Sequence, residues 1–376
     1  MKRYGRASLS EFLDDFIVYR NLIPVDTSLP ALVDIAEELG IKKGVVPRKT
    51  SEEYALVMVQ LLQAARKMEL TQSEITRIVM VGDTLMNDGT AFRNICRVGG
   101  WQGIAFIGSE RKERKSFQVE EYVGSKIYIS NRWSGLQEFN HFCRQNDFEI
   151  NGNSAVLVDI DKTAVGARGR NDKVIDEVRV QAAIDTASSL LGEDYDPNSF
   201  QDSYQRINRP EFHPFTTDNQ DYLVYICLIL GSDIITLDVL VDKVNSGEMS
   251  SFDQFVSYVD AHSDKLKLSL RAMHEEVYAL VKSGDPTPFK AFRYNEYLTT
   301  ITRMGQLGKN PSVSEMLTQE IVITQEVREA ALSWREQGAF IFGLSDKPDE
   351  ASIPTPELAS KGYKPIHQVE TDVVGE

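Results

Sequence analysis

The chain has 376 residues, 42% of them hydrophobic, enough for two cores at roughly 100–200 residues per domain, which excludes a small stapled module or a disordered tail. Its 56 acidic residues outnumber 41 basic ones and leave a formal charge of -15. Such a chain has no electrostatic footprint for a nucleic-acid backbone or an anionic membrane surface, so any anionic substrate needs a local positive feature to capture it.

The three cysteines, Cys96, Cys143 and Cys227, are odd in number and far apart, and read as structural thiols of a reducing compartment. Residues 1–10 carry no apolar core of signal-peptide length, and no run reaches the ~18 apolar residues of a membrane span. The expectation is a soluble, cytoplasmic protein. In chain order, helical spacing of apolar residues at 30–39 and 51–68 precedes an apolar run at 78–81. Runs at 103–107 and 126–129 follow, then helical spacing at 135–144 and a run at 155–158; helical spacing at 325–337 leads into a last run at 339–342. Continuous rather than alternating apolar runs suit a parallel sheet covered by helices on both faces, so the predicted class is α/β. Between 166 and 334 strand-like runs largely disappear and helical periodicity dominates, for example at 174–191, 221–230 and 265–282. This predicts a helical domain, 166–334, inserted into a discontinuous sheet domain made of 1–165 and 335–376. The polar tail, 346–376, is expected to be partly mobile.

The run at 155–158 ends in Asp159-Ile160-Asp161-Lys162-Thr163. A carboxylate at the lip of a buried strand lies where open α/β sheets bind ligands, and a second one two residues on suits a nucleophile beside a general acid/base. A solvated Asp-rich turn is the competing reading. The run at 78–81 likewise ends in Gly82-Asp83-Thr84-Leu85-Met86-Asn87-Asp88. Oxygen ligands so spaced on a loop suit Mg²⁺; turn formation or helix capping by Asp83 and Asp88 is the alternative.

Together these residues resemble the haloacid dehalogenase superfamily of aspartate-nucleophile phosphohydrolases, whose core is a Rossmann-like parallel sheet. Its first motif, DxDxT, is matched by Asp159, Asp161 and Thr163, and its fourth by Gly82, Asp83 and Asp88. The strand-like segment 339–344 followed by Ser345 resembles the second motif. Pro47-Arg48-Lys49-Thr50-Ser51-Glu52 resembles the third, with Lys49 the better match and Arg48 its rival. The order here is three, four, one, two, which resembles a circular permutation joined through 145–154; residues 346–376 and 1–47 are then expected to meet in space. The resemblance implies that Asp159 attacks phosphorus, Asp161 protonates the leaving alcohol and activates water, and Ser345 and Lys49 bind the phosphoryl group while Thr163 braces the loop. It implies Mg²⁺ held by Asp159, the Asp161 carbonyl, Asp83 and Asp88. Lys162 departs from a position often occupied by glycine in the family, which leaves the turn geometry open.

The helical block occupies the position of the family's C1-type cap. Arg206, Arg209 and His213, and Lys290, Arg293 and Tyr294, lie in loop-like stretches mixing basic and aromatic residues. Arg206, Arg209 and Arg293 are the candidates for substrate binding; pairing with surface acids is the competing reading. His141, His262 and His274 read as surface or packing residues, and no zinc-type spacing exists. Dehalogenase chemistry uses neither Mg²⁺ nor a second acid at Asp161, and membrane pumping lacks spans here. The expected function is a Mg²⁺-dependent phosphatase acting on a small phosphorylated metabolite. A phosphomutase uses the same residues, and a non-catalytic scaffold is the alternative outside enzymology.

Overall fold

The computed structural model describes residues 1–68, 73–232 and 234–376. It is a mixed α/β chain that divides into two compact units, 1–177 with 300–376, and 178–299. Ten strands lie among the described residues: β1 (Lys2–Ala7), β2 (Ile17–Val18), β3 (Arg77–Gly82), β4 (Gln102–Gly108), β5 (Phe117–Tyr122), β6 (Ser125–Ser130), β7 (Ser154–Asp159), β8 (Ile323–Thr324), β9 (Phe340–Leu344) and β10 (Thr371–Gly375). All belong to the first unit. No helix of the described residues is long and apolar enough to cross a membrane.

The main sheet runs β2-β9-β7-β3-β4-β6-β5, parallel throughout except for the antiparallel hairpin of β5 and β6. The five apolar runs read from sequence are β3, β4, β6, β7 and β9, and β7 is buried along its whole length. Both faces are covered, which is why these strands do not alternate. Ala155 and Leu157 pack with Tyr54, Val57, Leu61 and Phe92 from helices Glu52–Met68 and Thr90–Gly99. Phe106 of β4 meets Phe139 at 5.6 Å, and Phe139 meets Trp334 at 6.3 Å; these two come from helices Gly135–Gln145 and Gln325–Glu336. The helical spacing at 30–39 yields a shorter helix, Leu32–Ile35.

Beside it is a sheet of order β1-β10-β8. The end of the tail forms β10, which is buried at every position, and β1 pairs antiparallel with it, Lys2 opposite Gly375. Arg3 donates to the buried Asp372 at 2.6 Å. The helical unit, 178–299, is shorter than the expected insertion because 166–177 and 300–334 pack into the sheet unit. The Asn171 side chain donates to the carbonyls of Leu317 and Glu320 and accepts from the Val322 amide, while β8 pairs with β10.

Within the helical unit, helices open on side-chain caps: Asp196, Asn219, Thr236 and Ser251 each accept from a backbone N–H of the first turn. Its core is rich in aromatics, with Tyr222 stacked on Phe252 at 3.8 Å. His274 is buried there against the Tyr225 hydroxyl at 2.6 Å.

Candidate active site

Three strand ends bring the acidic motifs together. Val81 lies opposite Val158 in the β3–β7 register, so Gly82-Asp83 and Asp159 emerge side by side at the carboxyl edge of the sheet. On the other flank Asp159 lies opposite Leu344, which puts Ser345 next to it. Lys49 arrives from the segment just before helix Glu52–Met68. It is buried, whereas Arg48 is exposed, so Lys49 is the base that reaches the acids.

The Lys49 ammonium donates to Asp159 Oδ1 at 2.6 Å and lies 2.6 Å from Asp88 Oδ1. The other oxygen of Asp88 accepts from the Asp83 and Thr84 amides, at 3.0 and 2.8 Å, and from the Thr84 hydroxyl at 3.1 Å. Gly82 is required by this packing, since a Cβ there would stand 2.5 Å from that of Asp88. Asp83 is held from the far side by Arg168, whose Nε lies 2.5 Å from Asp83 Oδ2.

The turn after β7 positions the remaining residues. Lys162 takes φ 63°, the left-handed conformation that glycine adopts at least cost, and its ammonium pairs with Asp176 at 2.8 Å. Thr163 is fully buried; its carbonyl accepts from the Thr324 hydroxyl at 2.6 Å, while its own hydroxyl has no hydrogen-bond partner. Half-buried Asp161 lines a small cavity with Lys347. Buried Ser345 accepts from the Lys347 amide at 3.0 Å, and its own amide donates to Val18.

The other expected residues belong to the helical unit. Arg206 sits 3.2 Å from Glu211 and over the Phe212 ring; Arg209 is 4.0 Å from Glu211. Both line an open cleft with Asp202, Gln205 and Asp238. Arg293 is interior, committed to Asp221 at 2.5 Å and to Glu296 at 2.6 Å. His213 lies 3.7 Å from Asp218 and Lys290 2.9 Å from Asp285.

Arg168 is the residue that motif reading did not single out. Its backbone is fixed by bonds from its amide to the Lys162 carbonyl and to its carbonyl from the Glu110 amide and the Trp133 indole. Gly169 beside it has φ +77°, and a Cβ there would lie 2.0 Å from the Glu110 carbonyl oxygen. The available signal was a basic residue between two glycines, Gly166 and Gly169, shortly after the acidic turn.

Asp83, Asp88 and Asp159 each offer a carboxylate oxygen, all within 4.8 Å of one another. Burial, with Asp88 and Asp83 alongside, pushes the Asp159 carboxyl well above the usual range against the pull of Lys49. Burial would also raise Asp88, but Lys49 and the Thr84 amide hold it below its ordinary value. Burial opposes the charge on Lys49, yet Asp159 and Asp88 keep its ammonium firmly protonated. Burial and then Asp88 push Asp83 up to about 7, opposed by Arg168. Three acids crowded until two resist ionisation make a donor set that fits a hard divalent cation.

Asp83 in the folded chain keeps its proton up to about 7, whereas the free side chain loses it near 3.8. The folded state therefore binds more protons across that window, and stability falls as pH rises through it. Urea midpoints measured across this range are expected to decline less steeply in Asp83→Asn than in wild type. Identical slopes in wild type and variant would contradict this assignment. No protein-family model, curated protein or solved structure matches the chain.

Proposed function

We propose that this chain is a Mg²⁺-dependent phosphatase of the haloacid dehalogenase type, circularly permuted, acting on a small phosphorylated metabolite. The observation that carries the reading is the buried Lys49–Asp159 pair, 2.6 Å apart, at a strand end flanked by Asp83 and Asp88. A carboxylate held in a dry site by an ammonium, with further acids crowded beside it, suits phosphoryl transfer better than a structural ion pair, which needs no surplus of acid. The order β9-β7-β3 supports it further, because the Ser345, Asp159 and Asp83 loops then share one edge. The permuted connection is supported by the pairing of β1 with β10.

In this reading Asp159 attacks phosphorus, the bond to the leaving oxygen breaks, and Asp161 gives that oxygen its proton. The same Asp161 then takes a proton from water, whose oxygen attacks phosphorus and frees Asp159 with release of inorganic phosphate. Lys49 holds one oxygen of Asp159, which orients the other, and balances charge on the phosphoryl group. Ser345 donates to a phosphoryl oxygen. Asp159, Asp83 and the Asp161 carbonyl, with Asp88 directly or through water, would hold the divalent cation, which when bound offsets the repulsion between an anionic nucleophile and an anionic ester.

The test is phosphate release from p-nitrophenyl phosphate and a panel of sugar, nucleotide and acid phosphates, with and without Mg²⁺. Mg²⁺-dependent turnover of at least one is expected; none across the panel would leave the scaffold reading.

A further inference from the structure

The loop from Ser109 to Ser116 is unlike the rest of this acidic chain. Its sequence, Ser-Glu-Arg-Lys-Glu-Arg-Lys-Ser, places Arg111, Lys112, Arg114 and Lys115 within five residues of a protein of net charge -15. Several surface cations of this chain pair with an acid, as Lys126 does with Glu121 at 2.8 Å and Lys282 with Asp253 at 2.7 Å. Lys115 does, lying 2.5 Å from Glu138, but Arg111, Lys112 and Arg114 are exposed and make no ion pair among the described residues. The anion nearest in sequence, Glu113, is itself exposed, while Glu110 is already committed to Arg132 at 3.2 Å and Arg170 at 2.9 Å.

The placement of the loop is equally specific. It leaves the sheet at Gly108, where β4 ends, and Ile107 lies opposite Gly82 in the β3–β4 register; the loop therefore starts at the edge that carries Asp83 and Asp159. The Glu110 amide donates to the Arg168 carbonyl at 2.8 Å, and Arg168 is the residue holding Asp83. The outer half is strapped to Asn131. Its side chain accepts from the Ser116 amide at 2.8 Å and donates to the Arg114 carbonyl at 2.9 Å, and its carbonyl accepts from the Arg111 amide at 3.2 Å. The backbone is thus held in place while three cationic side chains are left for something else. A pre-shaped loop loses less entropy on binding than a floppy one.

We infer that this loop is an anion-binding subsite that selects substrates carrying a second phosphate besides the one transferred. The inference rests on the phosphatase reading for the identity of the ligand. Two guanidinium groups and an ammonium suit a phosphate, which arginine binds through paired N–H donors. An extended nucleic-acid backbone is disfavoured, because its other phosphates would face the overall negative field.

The test uses a matched pair, fructose 6-phosphate and fructose 1,6-bisphosphate, as competitors of p-nitrophenyl phosphate turnover by the full chain with Mg²⁺. The bisphosphate is expected to inhibit about tenfold more tightly, with the steeper salt dependence. In Arg111→Ala/Lys112→Ala/Arg114→Ala the ratio of the two inhibition constants is expected to collapse to about one, while Lys115→Ala retains it. A wild-type ratio near one, or a ratio unchanged in the triple variant, overturns the subsite. Calorimetric titration of both sugars separates the two ideas. A bisphosphate preference that disappears in the triple variant, without any turnover of p-nitrophenyl phosphate, upholds the loop and sinks the phosphatase; the absence of both sinks both.

Discussion

Asp159→Asn is expected to lower Mg²⁺-dependent hydrolysis of p-nitrophenyl phosphate by at least about a thousandfold, because it removes the attacking oxygen while preserving shape. The amide oxygen can still accept from Lys49, which now bonds Asp159 Oδ1 at 2.6 Å. The metal-free variant should not melt below wild type: Asp159 is buried beside Asp88 and Asp83, which already disfavour its charge. The rise in melting temperature on adding Mg²⁺ should shrink, since one ligand is lost. Asp161→Asn provides the contrast. Loss of an acid/base group costs typically about 10²–10⁴-fold, and the loss should be smaller for p-nitrophenyl phosphate, whose phenolate leaves without protonation, than for an alkyl phosphate. Retention of a tenth of wild-type activity by Asp159→Asn would place the nucleophile elsewhere.

The parts of this molecule that could be read from sequence share a physical reason. β3, β4, β6, β7 and β9 are continuous apolar runs because helices cover both faces, and that pattern survives without tertiary knowledge. β1 and β5 carry charged residues and have no buried position, β2 and β8 have two residues each, and β10 has only Val373-Val374 as an apolar pair; none gives a periodic signal. The acids that converge were legible because each directly follows a buried strand: Asp159 after 155–158, Asp83 after 78–81. Lys49 could be ranked above Arg48 only by motif, and its burial separates them. Arg168 could not be found that way. Its approach to Asp83 depends on two tight turns, at Lys162 and Gly169, and on the backbone of Glu110, which is distant in sequence. The extent of the helical unit was blurred for the same reason, since Asn171 and β8 return to the sheet unit through single side-chain and short backbone contacts that leave no periodic trace.

Lys49→Met tests whether this centre is held by charge. Lys49 is 4% exposed, with Asp159 and Asp88 equally enclosed, so its removal leaves two buried carboxylates without their shared cation. Breaking a buried pair costs about 3–5 kcal/mol, and the metal-free variant should lose stability on that scale near neutral pH. The pH dependence has a definite sign. Lys49 does most to hold Asp88 below its ordinary value, with help from the Thr84 amide, and it also pulls Asp159 down against burial; without it both carboxyls are expected to keep protons that the unfolded chain releases. The folded state then binds more protons than the unfolded one above about 4, so stability falls as pH rises and returns on acidification. Denaturant midpoints should therefore show a large deficit at pH 8 and a smaller one at pH 5. Mg²⁺ should restore much of the deficit at pH 8, because a cation bound to the same carboxylates supplies the missing positive charge. Activity should stay low even then, since no group remains to orient Asp159 and balance charge on the phosphoryl oxygens. An equal deficit at both pH values, untouched by Mg²⁺, would mean that Lys49 acts through the burial of its aliphatic stem, and that the acids beside it do not form a cation site.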